Sequence, residues 1–189
     1  METATQKTKI KSQSVNLMRT GEVRRMYKIM ITGSRKLKHV SHYDITAFVE
    51  FIKKKVAEHG DRLLVVCGDA DGFDLLAVKK LIEMNVLVIV CVCIDEIPRI
   101  SSDIFDSGLV SWCRAPHART YTARDDFMMR NSDELFAFII DSSPGSSRNV
   151  ITWKDRFKKD MAKGEKPVTV VEYETKLIPK KMSGGRDRS

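Results

Sequence analysis

The chain has 189 residues, 42% hydrophobic, 31% charged and 7% aromatic, with a formal charge of +8. That length suits one domain, and the hydrophobic fraction is too high for a disordered chain. The longest apolar run, residues 86–94, falls short of the roughly 18 residues a membrane span needs, and no apolar stretch near residue 1 precedes a cleavage site. The sequence therefore predicts a soluble domain with neither membrane contact nor a secretory signal.

In chain order, residues 1–26 come first, with six Lys/Arg against two Glu, a net +4. They read as a basic, flexible N-terminal tail. Residues 27–32 (YKIMIT) predict a strand ending at Gly33-Ser34-Arg35. Residues 43–59 follow with Ile45, Phe48, Val49, Ile52 and Val56 on one helical face, closed by Gly60. Residues 63–67 predict a second strand, ending at Gly68-Asp69-Ala70-Asp71-Gly72, and residues 73–84 a helix burying Leu75, Leu76, Val78, Leu81 and Ile82. Residues 86–94 are apolar without alternation, as in a strand covered on both faces.

Residues 95–120 read as irregular, with a short strand near 109–113. Residues 122–131 predict a helix, 135–141 (LFAFIID) a strand, 142–147 a turn, 148–163 a helix and 168–173 a last strand. Residues 174–189, at net +3, form a second basic tail, so the domain between them (27–173) carries only +1. Such tails either solubilise the protein or hold nucleic acid through its phosphates. No aromatic residue is interleaved with their basic ones, apart from Tyr27 at the border, so base stacking is not expected. Cys67, Cys91, Cys93 and Cys113 form no C-x-x-C pair, and three of them sit in β-branched apolar runs. They predict reduced thiols, no metal site and a reducing cytoplasm.

Strands alternating with helices across short connections predict an α/β fold: a Rossmann-like, doubly wound, mostly parallel sheet with helices on both faces. In such sheets ligands bind beyond the carboxyl ends of the strands. The loops 33–35, 68–72 and 142–147 all fall there. Ser143, Gly145, Ser146 and Ser147 lead into a helix, where hydroxyls and orphan amides favour an anion, although one serine serves equally well as a helix cap. Asp74 stands in the first turn of the preceding helix, either as a partner of its dipole or as an acceptor for a ribose hydroxyl or a base. Arg35 and Arg124 flank the crevice as candidate phosphate ligands. The four histidines, His39, His42, His59 and His117, are scattered and read as surface residues.

The order Gly33-Ser34-Arg35, G-D-A-x-G-x-D at 68–74, R-D-x-x-M-x-x-x-S-D at 124–133 and S-x-G-S at 143–146 resembles the SLOG superfamily of Rossmann-like proteins. That group includes DprA/Smf proteins, LOG-type cytokinin-activating phosphoribohydrolases and small stand-alone YspA/YpsA-like members, to which the likeness is greatest. The resemblance covers about residues 27–173. It implies capture of a nucleotide or a nucleotide-derived ligand, such as an NAD- or ADP-ribose-type signal, at Gly33, Ser34, Arg35, Gly68, Asp69, Gly72, Asp74, Arg124, Ser143, Gly145, Ser146 and Ser147, with no bound cofactor. It also implies a homodimer.

Where LOG enzymes carry P-G-G-x-G-T-x-E-E, this chain places Arg148 and Asn149 at the two glutamates. An amide cannot act as a general base. The sequence thus favours a binding module, a sensor or sequestering protein. The alternatives are an N-glycosidase or transferase using Asp69, Asp71, Asp74 or Asp141, and a DprA-like nucleic-acid accessory protein using the tails.

Overall fold

Six strands lie side by side in the order β4-β3-β2-β1-β5-β6, every neighbouring pair parallel. The computed structural model describes residues 25–35, 44–140 and 143–173. The strands are β1 (Tyr27–Gly33), β2 (Leu63–Cys67), β3 (Leu87–Val92), β4 (Val110–Arg114), β5 (Glu134–Ile140) and β6 (Val168–Tyr173). Between them run α1 (Thr46–His59), α2 (Phe73–Glu83), the short α3 (Ser102–Phe105), α4 (Tyr121–Arg130), α5 (Pro144–Arg156) and the short α6 (Lys158–Met161). The expected doubly wound α/β architecture is present, and its sheet is wholly parallel.

Both faces of the sheet are covered, which explains strand sequences that are apolar throughout. One face packs Ile31, Val65, Phe136 and Phe138 against Phe48 and Ile52 of α1 and Phe73 and Leu81 of α2. The other packs Met30, Leu135 and Ile139 against Met128 and Met129 of α4 and Val150 and Trp153 of α5. Every residue of β5 is buried, and alternate side chains serve opposite faces. Each large side chain taken out of water contributes about 1.5–3 kcal/mol.

Chain order runs outward from β1 through β2 and β3 to β4, then returns to β5 on the other side of β1. The helices on the outward path cover one face and those on the return path the other, so the carboxyl ends of β1 and β5 have connections leaving in opposite directions. A crevice opens at such a reversal. Phe73 holds one lip of it: its ring stacks on Phe138 at 4.7 Å between centroids and meets Phe48 edge-on at 5.3 Å.

Two expected boundaries move. Residues 142–147 read as a turn, yet α5 already begins at Pro144, because proline fits the first helical turn, where its missing N–H costs nothing. The same helix ends at Arg156, and α6 follows as a separate turn instead of one helix to residue 163. Val56, expected on the buried face of α1, is 37% exposed near the end of that helix. Residues 1–24 and 174–189 of the tails, Lys36, Lys38, His39, His42, Asp141 and Ser142 lie outside the described residues. No described helix is long and apolar enough to cross a membrane.

Candidate functional site

A cavity of about 510 Å³ occupies the crevice between β1 and β5. Thr32, Gly33, Ser34 and Arg35 line it from the end of β1, and Ile140 from the end of β5. Ser143, Pro144, Gly145, Ser146 and Asn149 line it from α5, and Asp74, Arg124 and Asp125 from α2 and α4. Asp74, Arg124, Asp125 and Asn149 are buried and make the floor; Arg35, Pro144 and Gly145 are exposed and make the rim.

The floor is a chain of buried polar groups. Arg124 donates from Nη1 to Asp69 Oδ1 at 2.7 Å, and from Nη2 and Nε to Asp125 Oδ1 at 2.9 and 3.1 Å. Asn149 Nδ2 donates to Asp125 Oδ2 and to Thr32 Oγ1, both at 3.0 Å. An amide at position 149 therefore supplies the donor that Asp125 needs, where a glutamate would set two carboxylates face to face. Gly68 makes room for the assembly: a Cβ there would lie 2.6 Å from Arg124 Nη2 and 2.8 Å from Asp74 Oδ2.

Asp74 is the group least at ease. Burial pushes its carboxyl up to about 7, against the pull of Arg124 and with Asp125 adding to the rise. Its Oδ1 is buried and has no hydrogen-bond partner among the described residues. Arg124 alone is buried with Asp69, Asp74 and Asp125 among the described residues, which leaves the floor acidic, and a raised Asp74 is how such a cluster sheds charge.

The rim has the opposite character. Ser143, the residue before α5, makes no side-chain cap, and Pro144 has no N–H, so the amides of Gly145 and Ser146 are left without an intrahelical acceptor at the positive end of the helix. Arg35 forms no ion pair among the described residues and lies over the Tyr121 ring, 4.8 Å from its centroid. Arg124 approaches the same ring at 5.1 Å and Arg99 at 5.5 Å. Thr120 Oγ1 accepts from Ala123 N at 3.2 Å, capping the helix that carries Tyr121, Arg124 and Asp125.

Of the residues singled out in the sequence, Gly33, Ser34, Arg35, Asp74, Arg124, Ser143, Gly145 and Ser146 converge on the cavity. Gly68, Asp69 and Gly72 stand behind it, and Ser147 starts the helical ladder, its N–H bonded to Ser143 O at 3.0 Å. Ser34 Oγ is occupied in the fold, accepting from Ile140 N at 2.8 Å, so that β1 and β5 are tied at the mouth of the crevice. The two arginines differ: Arg124 is saturated by carboxylates, and Arg35 has no carboxylate within ion-pair distance among the described residues. Thr32, Asp125 and Asn149 were not anticipated as lining residues, though Asp125 stands in the quoted R-D motif.

No protein-family model matches this chain, and neither a curated protein nor a solved structure does. The class that the fold defines is a doubly wound, all-parallel α/β domain with a crevice at the reversal of strand order.

Proposed function

We propose that this domain is a SLOG-type module that captures a nucleotide or nucleotide-derived ligand intact. The observation that carries this reading is the polarity of the cavity, with an arginine and helix amides at the rim that have no ion-pair or hydrogen-bond partner among the described residues, and acceptor-rich carboxylates on the floor. A phosphate at the rim meets Arg35 and the amides of Gly145 and Ser146, which is where an anion is best stabilised. A sugar hydroxyl below it meets the carboxylates of Asp74 and Asp125, which line the same cavity. A volume of about 510 Å³ lies in the range of small-molecule sites.

Native mass spectrometry of the purified protein, followed by denaturing release, tests the reading. Recovery of an intact nucleotide is the expected outcome. Recovery of free base and ribose phosphate would overturn capture in favour of turnover. One observation favours that second reading: Asp74, with a pKa of about 7, is poised to exchange a proton at neutral pH in the way a general acid or base must.

A further inference from the structure

The chain has four cysteines, all described and all free, and two of them are partners across the sheet. Cys91 of β3 and Cys113 of β4 stand in register on neighbouring parallel strands. Both belong to the apolar cluster on the α4 and α5 face, Cys91 buried in it and Cys113 packed against its border. Neighbouring strands run about 4.8 Å apart, inside the roughly 4.4–6.8 Å between Cα atoms that a disulfide spans. Cys67, on the next strand, serves the opposite face and pairs in register with Val90, so the sheet itself separates it from Cys91. β4 is the edge strand, and Cys113 is half-buried between the exposed Trp112 and Arg114, whereas the other three thiols are buried. The Cys91 thiol hydrogen-bonds the Cys113 sulfur, and that bond holds the Cys113 thiol below its usual range although burial pushes the other way. The same bond, with burial, holds the Cys91 thiol above its own. A half-exposed thiol whose thiolate is favoured by a neighbouring thiol is the setting of a reactive cysteine beside a resolving one.

We propose that Cys113 is an oxidation site for small hydroperoxides and Cys91 its resolving partner, so that one equivalent of peroxide closes a disulfide between β3 and β4. In the first step the Cys113 thiolate attacks the peroxide: an S–O bond forms, the O–O bond breaks, and the departing oxygen leaves with a proton as alcohol, or as water from hydrogen peroxide. Cys113 is then a sulfenic acid, and the thiolate that held the Cys91 proton in place is gone. In the second step the Cys91 sulfur attacks the Cys113 sulfur: the S–S bond forms, the S–O bond breaks, and hydroxide leaves with the Cys91 proton as water. Two thiols are oxidised to one disulfide and one hydroperoxide is reduced, with no other reactant. The product fixes the edge strand from which the chain passes into α4. Neither sulfur lines the crevice between β1 and β5, so this inference stands apart from the ligand proposed above.

The test treats the full chain, reduced and then freed of reductant, with hydrogen peroxide at neutral pH, followed by tryptic digestion without reduction and mass spectrometry. The expected product has lost two hydrogens and carries one cross-link, between the peptides of residues 81–99 and 100–114, and dithiothreitol restores it to the starting mass. Cys93 shares the first of these peptides, so Cys93→Ser should leave the cross-link in place. In Cys91→Ala the cross-link should be lost and dimedone should capture a sulfenic acid at Cys113; in Cys113→Ala neither product should form. Fragmentation of the cross-linked peptide from the native protein assigns Cys91 against Cys93 even if a variant fails to fold. A bond to Cys93 or Cys67, a bond between two copies of the chain, or no cross-link at a peroxide concentration that already oxidises methionine overturns the proposal, and the two cysteines are then core hydrophobes only.

Discussion

The two ends of the sheet bury carboxylates in opposite ways. At the amino end, Glu134 is buried but fully served: Tyr27 Oη donates to its Oε2 at 2.9 Å, and Lys55 Nζ lies 2.8 Å from the same oxygen. Burial pulls the Lys55 ammonium down, yet its bonds with Glu134 and Glu58 outweigh that and hold its pKa up. Tyr27 stacks on His59 at 3.8 Å between centroids, and Asp133 binds the Lys28 amide and Arg25. At the carboxyl end, Asp69 and Asp74 each keep a buried oxygen with no hydrogen-bond partner among the described residues. Geometry of this kind distinguishes a cluster whose acceptors are shared between strand and helix from one that keeps an unserved oxygen. A count of charged residues at each end would not separate them.

The largest effect should come from breaking the served end. Glu134→Ala takes the buried carboxylate from Tyr27 and Lys55, leaving Lys55 with the exposed Glu58, and urea unfolding should show a loss of about 3–5 kcal/mol, with ligand affinity unchanged. Arg124→Ala should cost a comparable amount, because Asp69 and Asp125 lose the buried cation between them; a loss under about 1 kcal/mol would show the floor to be held by other means.

At the open end, Asp74→Asn should do the reverse and stabilise. The folded pKa of about 7 lies above the ordinary 3.8, so the native state holds the proton more tightly than the unfolded chain. The associated stability is present in full below about pH 4 and is lost as pH rises through 7. The variant should match the native protein at pH 4 and exceed it by up to roughly 4 kcal/mol at pH 8. Denaturant melts of both proteins across that range check this, and parallel curves would show that Asp74 ionises normally. A smaller effect is expected for Arg35→Ala, a loss of about 1.5–3 kcal/mol in nucleotide affinity with stability within about 0.5 kcal/mol. Calorimetry and a melt read the two separately.

Much of this was legible from residue order. The bounds of β2 and β6 follow from apolar runs between turn residues, and the three loops fall at one edge because the strands are parallel. The α5 boundary was not, since Pro, Gly and Ser form turns and first helical turns with equal ease. Nor was the difference between Arg35 and Arg124. Both follow the pattern of a basic residue beside a loop, and only the approach of Asp69, 55 positions away, shows which of them is already satisfied. Asn149 reads in the sequence as a lost glutamate; its bonds to Asp125 and Thr32 show it as a replacement that suits its neighbours.

The loops around the crevice are not equally free to drift. A methyl group on Gly33 would sit 2.4 Å from the Phe73 ring, and one on Gly72, at φ +98°, would sit 2.6 Å from the carbonyls of Ser34 and Arg35. Phe73 N donates to Ser34 O at 3.1 Å, so residues 33–35 after β1 and 72–73 after β2 are keyed into each other and neither pair can change shape alone. At Gly145 an added Cβ meets nothing described within 4 Å. Diversification of what this scaffold recognises is therefore channelled: the paired loops must be inherited as a unit, and the first turn of α5 is where new side chains can be tried one at a time.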